Sequence, residues 1–172
     1  MPTPDRTSLA AIVEAGRQLL ELGGPSRVTM QAVAERVGVR APSLYKRVRD
    51  RDALLRLVAE SGVDDLGGRL AASDGSLPAL ARAYRAFAHA NPEAFRLMYS
   101  ISGSDEALRR ASEPVLRGAR AAVGEARALE EARLLTAWAT GFVNMELSGA
   151  FRLGGDVDEA FEYGLARLAA TR

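Results

Sequence analysis

Between Arg36 and Arg51 the chain sets six basic side chains against one acid, Asp50. The core of that stretch reads RAPSLYKRVRDRDALL, Arg40 to Leu55, and adds a proline, a serine and a tyrosine. Cations focused this way, on a chain of net charge +1, suit a local contact with a polyanion better than general stickiness. The imbalance is confined to one part of the chain. Residues 1–60 carry ten Lys/Arg against seven Asp/Glu (+3), and residues 61–172 carry thirteen against fifteen (−2), which together give +1. Other chemistry is poorly supplied. Cysteine is absent and His89 is the single histidine. No Ser-His-Asp set, metal-ligand cluster or phosphate-binding glycine loop is visible, so no enzyme, metal or cofactor is expected. Without cysteines the composition suits a reducing cytoplasm, and no apolar run reaches the roughly 20 residues of a membrane helix.

The elements that position the basic stretch are helical, because apolar residues recur at three and four and strand-like alternation is missing. Leu9, Ile12, Val13, Gly16, Leu19 and Leu20 line a first helix, starting near Thr7 and stopping at Gly23-Gly24. Thr29 caps a second helix with an apolar face of Ala32, Val33 and Val37, ended by Gly38. Pro42 opens a third, where its missing N–H costs nothing, and this helix runs to about Val48. Asp50 caps a fourth that reaches about Leu70.

The second and third helices, joined at Gly38, have the spacing of a helix-turn-helix, whose second helix lies in the DNA major groove. Ala41, Pro42 and Ser43 are short enough to let that helix approach the groove floor. Leu44 and Val48 anchor it, Tyr45, Lys46 and Arg47 lie on its outer surface, and Arg49 and Arg51 flank it as phosphate-neutralising cations.

Residues 8–60 resemble the N-terminal domain of the TetR family of transcriptional regulators, through AAIVEAGRQLLELGGPSRVTMQAVAERVGV followed by RAPSLYKRVRDRDALL. Val48 departs from the usual Phe, and Arg51 from the usual Lys. The resemblance implies a homodimeric repressor that binds a palindromic double-stranded operator and is released by a small molecule. It assigns Thr29 and Gln31 to the backbone and an adjoining base edge, and Arg40, Ala41, Pro42 and Ser43 to bases. It places Tyr45 at a phosphate, Lys46 and Arg47 at bases or phosphates, and Arg51 at a phosphate. A helical protein-interaction module without sequence-specific DNA binding is the alternative.

Beyond the SDGS turn, Ser76 caps a helix to Ala90, and PEAFRLMYS restarts after Asn91-Pro92. A helix over 105–124 is expected to break or kink at Pro114. A long helix follows over Glu125–Phe151, and a last one from Asp156 or Asp158 to Ala169. Ala90-Asn91-Pro92-Glu93-Ala94-Phe95-Arg96-Leu97-Met98-Tyr99 resembles a subgroup of the same family. That subgroup carries Trp-x-x-His-Gly in the long helix, where this chain has Trp138-Ala139-Thr140-Gly141. The expectation is an all-α chain of about nine helices, with a DNA-binding domain at 1–52 and a ligand-binding and dimerisation domain at 53–172. Tyr84, Phe87, Phe95, Met98, Tyr99, Trp138, Phe142 and Met145 are candidate walls of an apolar effector pocket. Thr140, Asn144 and Ser148 form a polar stripe. Candidate dimer contacts are Leu135, Ala139, Val143, Leu147, Phe161, Leu165 and Leu168.

Overall fold

A computed structural model describes residues 8–101 and 104–170. They form nine α-helices and two short 3-10 turns, with no strand among them: α1 (Leu9–Glu21), α2 (Met30–Val37), α3 (Ala41–Leu44), α4 (Arg51–Ala71), α5 (Leu77–Ala90), α6 (Pro92–Ser100), α7 (Asp105–Val123), α8 (Ala128–Leu147) and α9 (Val157–Ala170). Thr7 lies outside the described residues. Ser8 caps α1 instead, its hydroxyl accepting from the Ala11 N–H at 3.2 Å.

Local chemistry sets most helix ends. Thr29 Oγ1 accepts from Ala32 N (3.1 Å), Asp50 Oδ1 from Ala53 N (2.7 Å), Ser76 Oγ from Ala79 N (3.3 Å) and Asp156 Oδ1 from Asp158 N (2.7 Å). Gly38 ends α2 at φ +75°, and the following Val39 N–H bonds back to Ala34 O at 2.9 Å. That pairing is a Schellman turn, which a Cβ at this φ would strain. The same device at Gly149 ends α8 four residues before the expected Phe151, with Ala150 N on Met145 O at 2.8 Å. Glu125–Arg127, expected inside that helix, form a separate 3-10 turn.

Two further boundaries differ from expectation. The third helix is a single turn, Ala41–Leu44, continued by turns until Val48 N bonds Leu44 O at 2.9 Å. By contrast, α7 runs unbroken through Pro114. The proline removes one backbone bond, but its ring is buried and the helix keeps a buried face of Ala107, Ala111 and Ala119.

The chain packs as two compact units, and neither matches a division at residue 52. The first contains the residues up to Asp65 together with Asn91–Leu108; the second contains Leu66–Ala90 and Arg109–Arg172. Two physical facts move the boundary: α4 is one continuous helix through residues 65 and 66, and α6 packs on α1. The first unit's core is Ile12, Leu20, Val28, Val33, Leu44, Leu54, Val58 and Phe95, all without exposed surface. Val37, expected inside, is half-buried, and Ala34 takes its place in the core. Gly16 lets α1 approach α4 closely, since a Cβ there would come within 2.7 Å of Val58 Cγ2. The second unit's core includes Leu80, Phe87, Ala119, Val143 and Phe161.

Candidate functional site

Leu44 is fully buried and Val48 is 2% exposed, so both anchor the recognition segment as expected. Around them Arg40, Pro42, Tyr45, Lys46 and Arg47 are exposed, and Ala41 and Ser43 are half-buried. Tyr45 shows 54% of its surface, and neither its hydroxyl nor the Lys46 ammonium has a bond to another described residue. Together these residues bring three cations, Arg40, Lys46 and Arg47, and two hydroxyls, Ser43 and Tyr45, onto one short segment.

The other candidates are engaged locally. Thr29 caps α2. Gln31 Nε2 donates to Glu35 Oε1 on its own helix at 2.6 Å. Arg49 pairs with Asp50 at 2.6 Å, and Asp50 also accepts from Ala53 N. These two bonds, the Ala53 one foremost, hold the Asp50 carboxyl below the usual carboxylate range. Arg51 opens α4 but turns back into the protein. Its Nε donates to Val28 O at 2.8 Å and an Nη to Pro25 O at 2.5 Å.

One contact could not be found from local spacing. The carboxylate of Glu21, the last residue of α1, accepts from Ala94 N (2.8 Å) and Glu93 N (3.1 Å) in the first turn of α6. Pro92 supplies no N–H and Asn91 does not cap the helix, so a side chain from another helix does. Arg17 on α1 likewise reaches Asp65 on α4 at 2.7 Å.

The second unit treats the expected pocket walls differently. Phe87 has no exposed surface and Tyr84 is buried, its hydroxyl 2.7 Å from Thr140 Oγ1. Trp138 stacks on Phe161 with centroids 5.1 Å apart, and Phe142 packs against the same ring at 5.2 Å. Met145 is 48% exposed and points outward. In the first unit Phe95 is fully buried and Tyr99 stands edge-on to it at 5.4 Å, while Met98 is half-buried. Phe87 and Phe95 are therefore core. A cleft of about 460 Å³ in the second unit is lined instead by Arg82, Arg85, Ala86, His89, Glu146, Asp158, Phe161 and Glu162. Its charges are mutually paired. Arg85 binds Glu146 through two donors and Asp158 at 2.5 Å, His89 Nε2 lies 2.9 Å from Glu146 Oε2, and Arg82 forks onto Glu162. Of the polar stripe, Asn144 donates to Thr140 O and Ser148 to Met145 O, both on their own helix.

Five of the expected dimer contacts are protomer core: Leu135, Ala139, Val143, Phe161 and Leu165 are at most 5% exposed, and Leu147 and Leu168 are half-buried. The outward stripe of α8 is offset from them by one or two residues and comprises Leu134, Ala137, Gly141 and Met145. Ala160, Tyr163 and Ala166 are the exposed apolar residues of α9. Leu134 and Tyr163 expose 51% and 68% of their surface.

Comparison with known proteins meets this geometry at both ends of the chain. Residues 12–58 match the model described as bacterial regulatory proteins, tetR family, and residues 77–168 match the tetracyclin repressor-like C-terminal domain. The chain belongs to the TetR family of transcriptional regulators. An uncharacterized HTH-type transcriptional regulator of Mycobacterium tuberculosis is 31% identical over 188 residues, spanning 97% of this chain and 82% of that protein. A Rhodococcus protein of unknown function shares the fold at a TM-score of 0.80 and 22% identity, over 99% of this chain and 98% of its own. A TetR variant from Acinetobacter baumannii, solved with minocycline, does so at 0.70 and 23%, over 95% of each chain. The tetR-family match at residues 12–58, which carries the family's DNA-binding helix-turn-helix, takes in α2 and α3. No helix among the described residues is long and apolar enough to cross a membrane.

Proposed function

We propose that the protein is a homodimeric repressor that reads a palindromic operator and is released by a small-molecule effector. The observation that carries the reading is the exposed Arg40–Arg47 surface held on the buried Leu44 and Val48. In this reading α3 of each protomer enters a major groove, with Arg40, Ala41, Pro42 and Ser43 at base edges. Tyr45, Lys46 and Arg47 meet the phosphates beside it, and the two half-sites lie about 34 Å apart. Duplexes from the DNA flanking the chain's own gene, titrated by fluorescence anisotropy across a salt series, test this. A specific site and an affinity that falls steeply with salt are expected. Salt-insensitive binding, or no preferred sequence, would return the chain to the class of protein-interaction modules.

The exposed apolar stripes of α8 and α9 support the dimer, because small residues such as Ala137 and Gly141 let a second pair of helices approach closely. Sedimentation of Gly141→Arg protein should show monomer where the parent sediments as dimer. Support for an effector is the minocycline bound by the Acinetobacter relative. Its chemical class is proposed to be mainly hydrophobic, with the half-buried Trp138 and Phe142 as the wall residues to test by substitution and operator release.

A further inference from the structure

We infer that Arg51 serves DNA binding by holding the start of α2 in place, and not by neutralising a phosphate. The inference rests on the DNA-reading function proposed above. Arg51 is the first residue of α4, and its guanidinium spans back to two carbonyls of the segment that leads into α2. Nε donates to Val28 O at 2.8 Å and an Nη to Pro25 O at 2.5 Å. Val28 is fully buried and immediately precedes Thr29, the residue that caps α2. One side chain thus ties the first turn of α4 to the segment that leads into α2. The recognition segment Arg40–Val48 is strung between those two helices, so their separation sets where it stands.

The residue type fits the task. A guanidinium presents its donors on a rigid planar fork and reaches both carbonyls without internal freedom. A lysine ammonium is a point charge on a flexible stem, equally able to meet a phosphate but unable to fork. Among the described residues no carboxylate pairs with Arg51, and it is half-buried where Lys46 and Arg47 are exposed. The outward cations are better placed for phosphates.

Lysine therefore discriminates the two roles, and so does salt. Arg51→Lys and Arg51→Ala are compared with the parent by anisotropy on one operator duplex over a series of KCl concentrations. A lost phosphate contact lowers the slope of log K against log[salt] by about 0.9. The expected result is that both variants bind about 10-fold more weakly, with slopes parallel to the parent's and no rescue by lysine. Parent-like binding of Arg51→Lys, with a shallower slope for Arg51→Ala, would overturn the inference. A DNA-free readout runs beside it. Amide exchange at Ala32 and Val33, whose N–H groups bond to Thr29 Oγ1 and Thr29 O, should accelerate about 10-fold in both Arg51 variants and stay unchanged in Lys46→Ala. Unchanged exchange in the Arg51 variants refutes the brace whatever the DNA data show. A parent that binds no duplex removes the DNA reading and leaves the exchange data to decide the brace. Should Arg51→Ala fail to fold, Arg51→Lys still decides by both readouts.

Discussion

Replacing Gly164 by alanine sets two effects of opposite sign against each other, and the structure decides between them. Gly164 sits within α9, where alanine normally gains about 1 kcal/mol over glycine. Its added Cβ, however, would lie well inside contact distance of Trp138 Cζ2 and 3.0 Å from Cε2, against the 3.5–4.0 Å at which carbon atoms rest. The indole has little room to retreat, being stacked on Phe161 at 5.1 Å and flanked by Phe142 at 5.8 Å. Overpacking of this kind costs about 1–3 kcal/mol. The net expectation is a loss of about 1 kcal/mol, or a fall of roughly 2–4 °C in Tm for a chain of this size. Gly68, in α4 with nothing within 4 Å of its Cβ position, is the control: Gly68→Ala should raise Tm by a similar amount. Thermal melts followed by circular dichroism at one protein concentration compare the three proteins. Trp138 is the only tryptophan, so its emission should shift in Gly164→Ala alone. If Gly164→Ala stabilised the protein as Gly68→Ala does, the packing of Trp138 between α8 and α9 would be wrong.

Acid should weaken the second unit through Glu146. Burial opposes its ionisation, but bonds from Arg85 and His89 outweigh this and hold the carboxyl below its ordinary value of 4.5. The stability it contributes is therefore complete above the unfolded pKa and is lost as pH falls from about 4.5 through the depressed folded value. Denaturant melts from pH 7 to pH 3 should show a flatter acid limb for Glu146→Gln; identical limbs would contradict the assignment. Tyr45→Phe should cost roughly 1 kcal/mol of operator binding with no change in melting temperature, the signature of a hydroxyl used only on DNA. Glu21→Gln should lower stability by about 1 kcal/mol, since one backbone N–H of α6 loses its anionic acceptor. Exchange at Glu93 and Ala94 should quicken in that variant, and unaltered exchange there would exclude Glu21 as the cap.

What the sequence made legible was the chemistry that acts within one turn. Thr29, Asp50, Ser76 and Asp156 cap helices, and Gly38 turns the backbone, because each choice concerns atoms two to five residues apart. The anchoring of Leu44 and Val48 was legible for the same reason. Phase on a long apolar helix was not. In α8 nearly every face carries Ala, Leu or an aromatic, so periodicity alone does not separate the Leu135–Ala139–Val143 core from the Leu134–Gly141–Met145 surface. The aromatic residues drew a pocket on paper, whereas Phe87 and Phe95 fill core and the open cleft is charged. Glu21 and Arg51 lay out of reach because their partners are 72 and 23 residues away, a separation that no local pattern encodes.

The placement of α6 bears on how such regulators can be recombined. A chimaera that joins the DNA-reading head of one protein to the body of another is most simply spliced between the two matched regions, after residue 58 and before residue 77. In this chain such a splice separates Glu21 from the helix it caps, for α6 would travel with this body onto a foreign head while its acceptor stayed behind. The hybrid would carry an uncapped first turn of α6 beneath the head's own core, and its altered response could be mistaken for a mismatch of effector and operator. Carrying residues 91–108 across with the head, or installing a glutamate at the end of the incoming first helix, keeps donor and acceptor together.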